Sequence, residues 1–132
     1  MQVDSLQQAG EILFITSFVG NGVAFVFITT SILVMHFLMP KVVLEKFFKP
    51  PYFNESECTL FTGIPFAPLR TIMFMRVIAY PGSGKKRGIK DAHLLVPNWY
   101  RITSKIIVIS IIALAVIIAF QLIGFWLLFL FR

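Results

Sequence analysis

Two uninterrupted apolar runs dominate this chain and limit what it can fold into. Residues 12–39 contain 28 positions without Asp, Glu, Lys or Arg, and residues 106–131 contain 26 more. A bilayer core is crossed by about 20 apolar residues in a helix. Both runs exceed that length, and a 132-residue chain has no interior large enough to bury either one. The composition agrees: 58% of residues are hydrophobic, 15 are phenylalanine, and only 14% are charged, against about 25% in ordinary soluble domains. These figures exclude a disordered chain and argue strongly against an ordinary soluble enzyme.

The predicted fold class is therefore an all-α membrane protein, an antiparallel two-helix transmembrane hairpin. Its parts are a short outer N-terminus (1–11), transmembrane helix 1 (12–39), a basic aromatic-rich segment (40–105) and transmembrane helix 2 (106–131). The first eleven residues hold two acids and no base. A secretory signal begins with positive charge and has a shorter apolar stretch, so the first run is expected to be retained. Between the runs lie eleven basic and four acidic residues, a net charge of +7. Positive segments stay on the cytoplasmic side. Both termini are thus expected outside and residues 40–105 inside.

Each run carries one amide. Asn21 sits nine residues, and Gln121 ten residues, from the outer end of its run. At about 1.5 Å per residue both lie about 14 Å deep. An amide in hydrocarbon needs a partner, which predicts an interhelical contact between Asn21 and Gln121, or a shared third subunit. Neither side chain titrates, so structural bonding is preferred to a proton relay. Thr16, Gly20 and Ala24 recur every four residues, as do Ala115 and Ala119. Such small-residue faces favour close helix packing. The hydroxyls of Thr16, Ser17, Thr29, Thr30 and Ser31 do not join Asn21 in a continuous polar stripe, as a pore would need. Glu11 and Arg132 flank the same outer interface and are expected to pair weakly.

The first helix is expected to continue through residues 41–48 and stop at Pro50-Pro51. Residues 52–67 read as irregular, with a solvated turn at Asn54-Glu55-Ser56-Glu57. A short helix over about 68–80 has an apolar body with Arg70 and Arg76, the pattern of a helix lying in the headgroup plane. Next, Gly84-Lys85 resembles part of a phosphate loop, but Lys86 follows and Ala79 occupies the first glycine position. Nucleotide binding is rejected on that pattern. Arg70, Arg76, Lys85, Lys86, Arg87 and Lys90 are instead read as contacts to anionic phospholipids. Asp91 is expected to cap a short helix ending at Pro97. Trp99, Tyr100, Arg101 and Lys105 form an interfacial anchor at the start of the second span. Ten aromatic residues between Phe47 and Tyr100 suggest a segment lying flat on the bilayer or on a partner.

Cys58 has no second cysteine to pair with, and with His36 and His93 it shows no metal-ligand spacing. No catalytic set, metal or cofactor is predicted, and no nucleic-acid recognition fold accompanies the basic residues. The layout resembles universal stress protein B, a family of small two-span bacterial membrane proteins. The residues concerned are Phe61-Thr62-Gly63, Leu69-Arg70 leading an apolar run to Tyr80, and Arg101 before the second span. The Pro-rich 40–51 region and the 81–90 turn depart from that pattern. The resemblance implies a small bacterial inner-membrane protein and carries no chemistry. The functional expectation is a non-catalytic accessory or structural subunit of a larger membrane complex (respiratory, transport or secretion), its partners other membrane subunits. The alternative is a self-associating stress-related or holin-like protein acting on the bilayer. A small enzyme or carrier with a site in the inner segment ranks last.

Overall fold

The computed structural model describes residues 2–130, with side chains over 8–127. The described residues contain helices and turns and no strand. Five α-helices run in the order α1 (Gln2–Phe37), α2 (Lys41–Phe47), α3 (Glu55–Leu60), α4 (Ala67–Ala79) and α5 (Asn98–Leu130). Two 3-10 segments, Pro81–Arg87 and Lys90–Leu95, connect α4 to α5. Within α1 and α5, Gln8–Phe37 and Asn98–Leu127 are long and apolar enough to cross a membrane.

The first helix does not continue into α2. It breaks over residues 38–40, where Pro40 takes an extended conformation with φ −60° and ψ 122°. Proline has no N–H to bond the carbonyl four residues back, and its ring crowds that carbonyl. Residues 52–67 are also more ordered than expected. Asn54 opens α3, and its N–H donates to Glu57 Oε2 at 3.0 Å, one arm of a capping box.

The larger correction concerns 40–105 as a whole. The segment folds on itself and on the inner ends of the long helices. Its core joins Met39, Val43, Phe47, Phe53, Phe74, Met75, Ile78, Ile89, Ala92 and Val96 to Ile32 and Met35 of α1 and to Tyr100, Ile107 and Val108 of α5. The aromatic rings cover one another: Phe47 meets Tyr52 at 5.3 Å between centroids, Phe48 meets Phe53 at 5.4 Å, and Phe53 meets Phe74 at 5.7 Å. Edge and tilted ring contacts of this kind stabilise a core beyond the area they bury. The apolar face of α4 is buried against this core (Phe74, Met75, Val77, Ile78), so it does not face headgroups as expected.

Gly84 shows why the 3-10 turn carries glycine. A Cβ there would lie 2.8 Å from Val77 Cγ1 and 3.2 Å from the Ile89 carbonyl carbon. The glycine serves close packing against α4. Gly88 ends the turn at φ +72°, a left-handed conformation that glycine adopts without strain.

Candidate functional site

The long helices meet along one seam. On α1 the half-buried or buried positions Ser17, Asn21, Ala24, Ile28, Ser31 and Met35 alternate steps of four and three. On α5, Tyr100, Ser104, Ile107, Ile111, Leu114 and Gln121 keep the same period. A 3.5-residue period is that of a left-handed helix pair with interlocking side chains. Contacts run in opposite order along the two helices: Phe14 meets Phe125 at 5.2 Å, Asn21 meets Gln121, and Met35 meets Tyr100.

A polar cluster occupies the end of this seam away from the head. Asn21 Nδ2 donates to Gln121 Oε1, and Gln121 Nε2 donates to Ser17 Oγ. The Ser17 contribution was not singled out from sequence, although its position one turn before Asn21 places both on one face. The small-residue stripes were misplaced. Thr16, Gly20, Ala115 and Ala119 are exposed, and only Ala24 of that set enters the seam. A Cβ on Gly20 would meet nothing within 4 Å. The amides decide which face is turned inward, and the stripes of small residues are rotated from it by about a sixth to a quarter of a turn. Several other hydroxyls bond within their own helix: Thr29, Thr30 and Ser31 donate to the carbonyls of Phe25, Val26 and Phe27 at 2.8–2.9 Å. Ser110 does the same to Ile106. Ser104 differs: it is fully buried in the seam, and its hydroxyl has no partner among the described residues. On the α1 face away from α5, a shallow apolar groove is lined by Val19, Gly22, Val23, Val26, Phe27 and Thr30.

A second set of polar contacts ties the head to the long helices. Tyr100 is fully buried, and its hydroxyl donates to the Met35 carbonyl at 3.2 Å. It is a core residue, which corrects its reading as an exposed interfacial ring; its neighbour Trp99 is the exposed one. His36 Nδ1 and Thr71 Oγ1 share a hydrogen bond of 2.6 Å, linking the end of α1 to α4. Arg101 Nη2 donates to the His93 carbonyl at 2.6 Å, so this anchor is turned inward, whereas Lys105 is exposed.

The basic residues also divide. Arg76, Lys85, Lys86 and Lys90 are exposed. Arg87 donates from Nη1 and Nη2 to both Glu57 oxygens at 3.1 and 2.9 Å, and it stacks 4.9 Å from the Phe53 ring centroid. It clamps the turn to α3 and is not a free lipid contact. The Arg87 bond, and secondarily the Asn54 N–H, hold the Glu57 carboxyl below the usual range. Arg70 lies 4.8 Å from the Phe48 ring centroid, and burial pushes its guanidinium pKa down. Among the described residues no three His, Cys, Asp or Glu side chains converge to hold a metal ion. The expected Glu11–Arg132 contact lies outside the described residues. Comparison with protein-family models, curated proteins and solved structures finds no match.

Proposed function

We propose that this chain is a bacterial inner-membrane protein that works as a non-catalytic accessory subunit of a larger membrane complex. In this reading α1 and α5 form an antiparallel transmembrane hairpin with both termini outside. The compact head (40–105) lies on the cytoplasmic side, as its net charge of +7 favours. One observation carries the reading. Outside their seam, the long helices expose large apolar side chains all round, among them Phe18, Val23, Phe27, Phe120, Leu122 and Trp126. A surface of that kind is covered by lipid or by other membrane helices. The groove at Gly22 gives it relief that a partner helix can fill. Exposed Arg76, Lys85, Lys86, Lys90 and Lys105 provide charge for anionic headgroups.

The test is purification through a C-terminal tag in a mild detergent, with masses and ratios determined for everything that co-migrates. Other polypeptides in fixed ratio, weakened by Gly22→Leu, support an accessory subunit. A Cβ at Gly22 meets nothing within 4 Å, so that variant leaves the chain's own packing intact. A homo-oligomer with bound lipid and no other polypeptide overturns the reading and favours a self-associating protein acting on the bilayer.

A further inference from the structure

The stretch between Glu57 and Arg70 contains no charged residue. It covers the end of α3, the turn and the start of α4. Its large apolar side chains do not join the head's core: Leu60, Phe66 and Leu69 are exposed, and Ile64 at the tip is 95% exposed. Part of its polar groups is satisfied from within. Thr59 Oγ1 donates to the Glu55 carbonyl and Thr62 Oγ1 to the Cys58 carbonyl. The N–H groups of Phe61, Phe66, Ala67 and Leu69 bond to carbonyls of Glu57, Gly63, Gly63 and Phe66. Pro65 and Pro68 have no N–H to satisfy.

Backbone groups left unpaired are costly in an apolar medium, and the bonds made within this turn lower the cost of bringing it to the lipid boundary. Its position also fits. The start of α4 is tied to the end of α1 through Thr71 and His36, and the far end of α4 packs on the 3-10 turn through Val77 and Gly84. The turn therefore leaves α4 at the end joined to α1 by that bond. There α1 exposes further apolar surface at Leu33, Phe37 and Leu38.

We propose that the turn centred on Ile64 is a third membrane contact, dipping into the lipid leaflet on the head's side while Arg70 lies at the level of the lipid phosphates. The occupant of this surface is lipid, as the continuity with the apolar surface of α1 indicates. A long stem with a charged tip is suited to that boundary. The proposal rests on the membrane reading given above, and the experiment separates the two.

In a Cys58→Ser background, a nitroxide is attached at Ile64→Cys, at Val23→Cys on the exposed face of α1, or at Lys85→Cys in the basic turn. Each protein is placed in phosphatidylethanolamine–phosphatidylglycerol vesicles, and its relaxation by oxygen is compared with that by a water-soluble nickel complex. The extreme exposure of Ile64 means that its label displaces no packed neighbour. The expected oxygen-to-nickel ratio at 64 is several-fold above that at 85 and approaches that at 23. If 23 is lipid-like and 64 matches 85, the turn is in water and the proposal is overturned while the hairpin stands. If 23 also matches 85, the membrane reading fails and the proposal fails with it.

Discussion

The two halves of this molecule bury apolar surface in opposite ways. The long helices beyond the head contact each other along one narrow seam and leave the rest of their Phe, Ile and Leu side chains open. The head, with shorter elements and most of the charge, closes a core in which Val43, Phe74 and Tyr100 are fully buried. In the membrane reading proposed above, the helix pair is surrounded by lipid and gains no hydrophobic stabilisation from covering itself, so packing and a few hydrogen bonds set its geometry. A head bordering water has to complete its own core. Aromatic content alone does not tell these situations apart, because phenylalanine serves both.

The sharpest way to break the comparison is to hollow out the head. Phe74→Ala removes a ring that is 0% exposed, and such truncations cost about 3–5 kcal/mol. Limited proteolysis in detergent should then cut within 40–105, while circular dichroism retains the signal of the long helices. Gly84→Ala should cost about 1–3 kcal/mol through overpacking against Val77 and Ile89. Gly20→Ala, with nothing within 4 Å, should be neutral or slightly stabilising, as alanine is favoured over glycine in a helix. A thermal melt of the two variants reads the contrast between the halves directly.

In the seam, Gln121→Leu removes both bonds of the polar cluster and should cost about 0.6–2 kcal/mol. The Asn21→Leu/Gln121→Leu double variant should be less destabilised than the two single losses added together, because neither amide is then left unpartnered. A double-mutant cycle on hairpin stability checks this. The smallest expected loss belongs to the head's surface. Glu57→Gln should cost at most about 1 kcal/mol, since the Arg87 pair is partly exposed and screened by solvent. Its sign with pH follows from the lowered carboxyl pKa. The contribution is complete above the ordinary glutamate value of about 4.3. It disappears as the pH falls through the lower folded value. Melts of the native chain and the Glu57→Gln variant should therefore converge in acid.

Much of the architecture was legible because charge is absent from two long runs, and no packing detail alters that. Asn21 and Gln121 were legible as a pair because their depths match. The seam's remaining members were not. Thr16, Gly20 and Ala24 look like a packing face, yet the face in use is set by two amides and by Ile28 and Met35 below them. The head was hidden for a different reason. Its decisive contacts join residues far apart in the chain: His36 with Thr71, Glu57 with Arg87, Tyr100 with Met35. No local pattern announces such pairs. Pro40 was visible, but its effect was underread: α1 ends at Phe37, two residues short of the end of the apolar run, and does not continue to Pro50-Pro51.

The two polar fastenings of α1 to α5 act together as a length gauge. One joins Asn21 to Gln121 within the seam, and the other joins the Met35 carbonyl to Tyr100 at the head. Sliding one helix past the other by a single turn, about 5.4 Å, would undo both at once. Motion along the common axis is thereby suppressed, whereas tilting the pair as a unit disturbs neither. A displacement of the head would thus be transmitted to the far end of the pair as an inclination, amplified by the length of the helices, and not as a piston stroke.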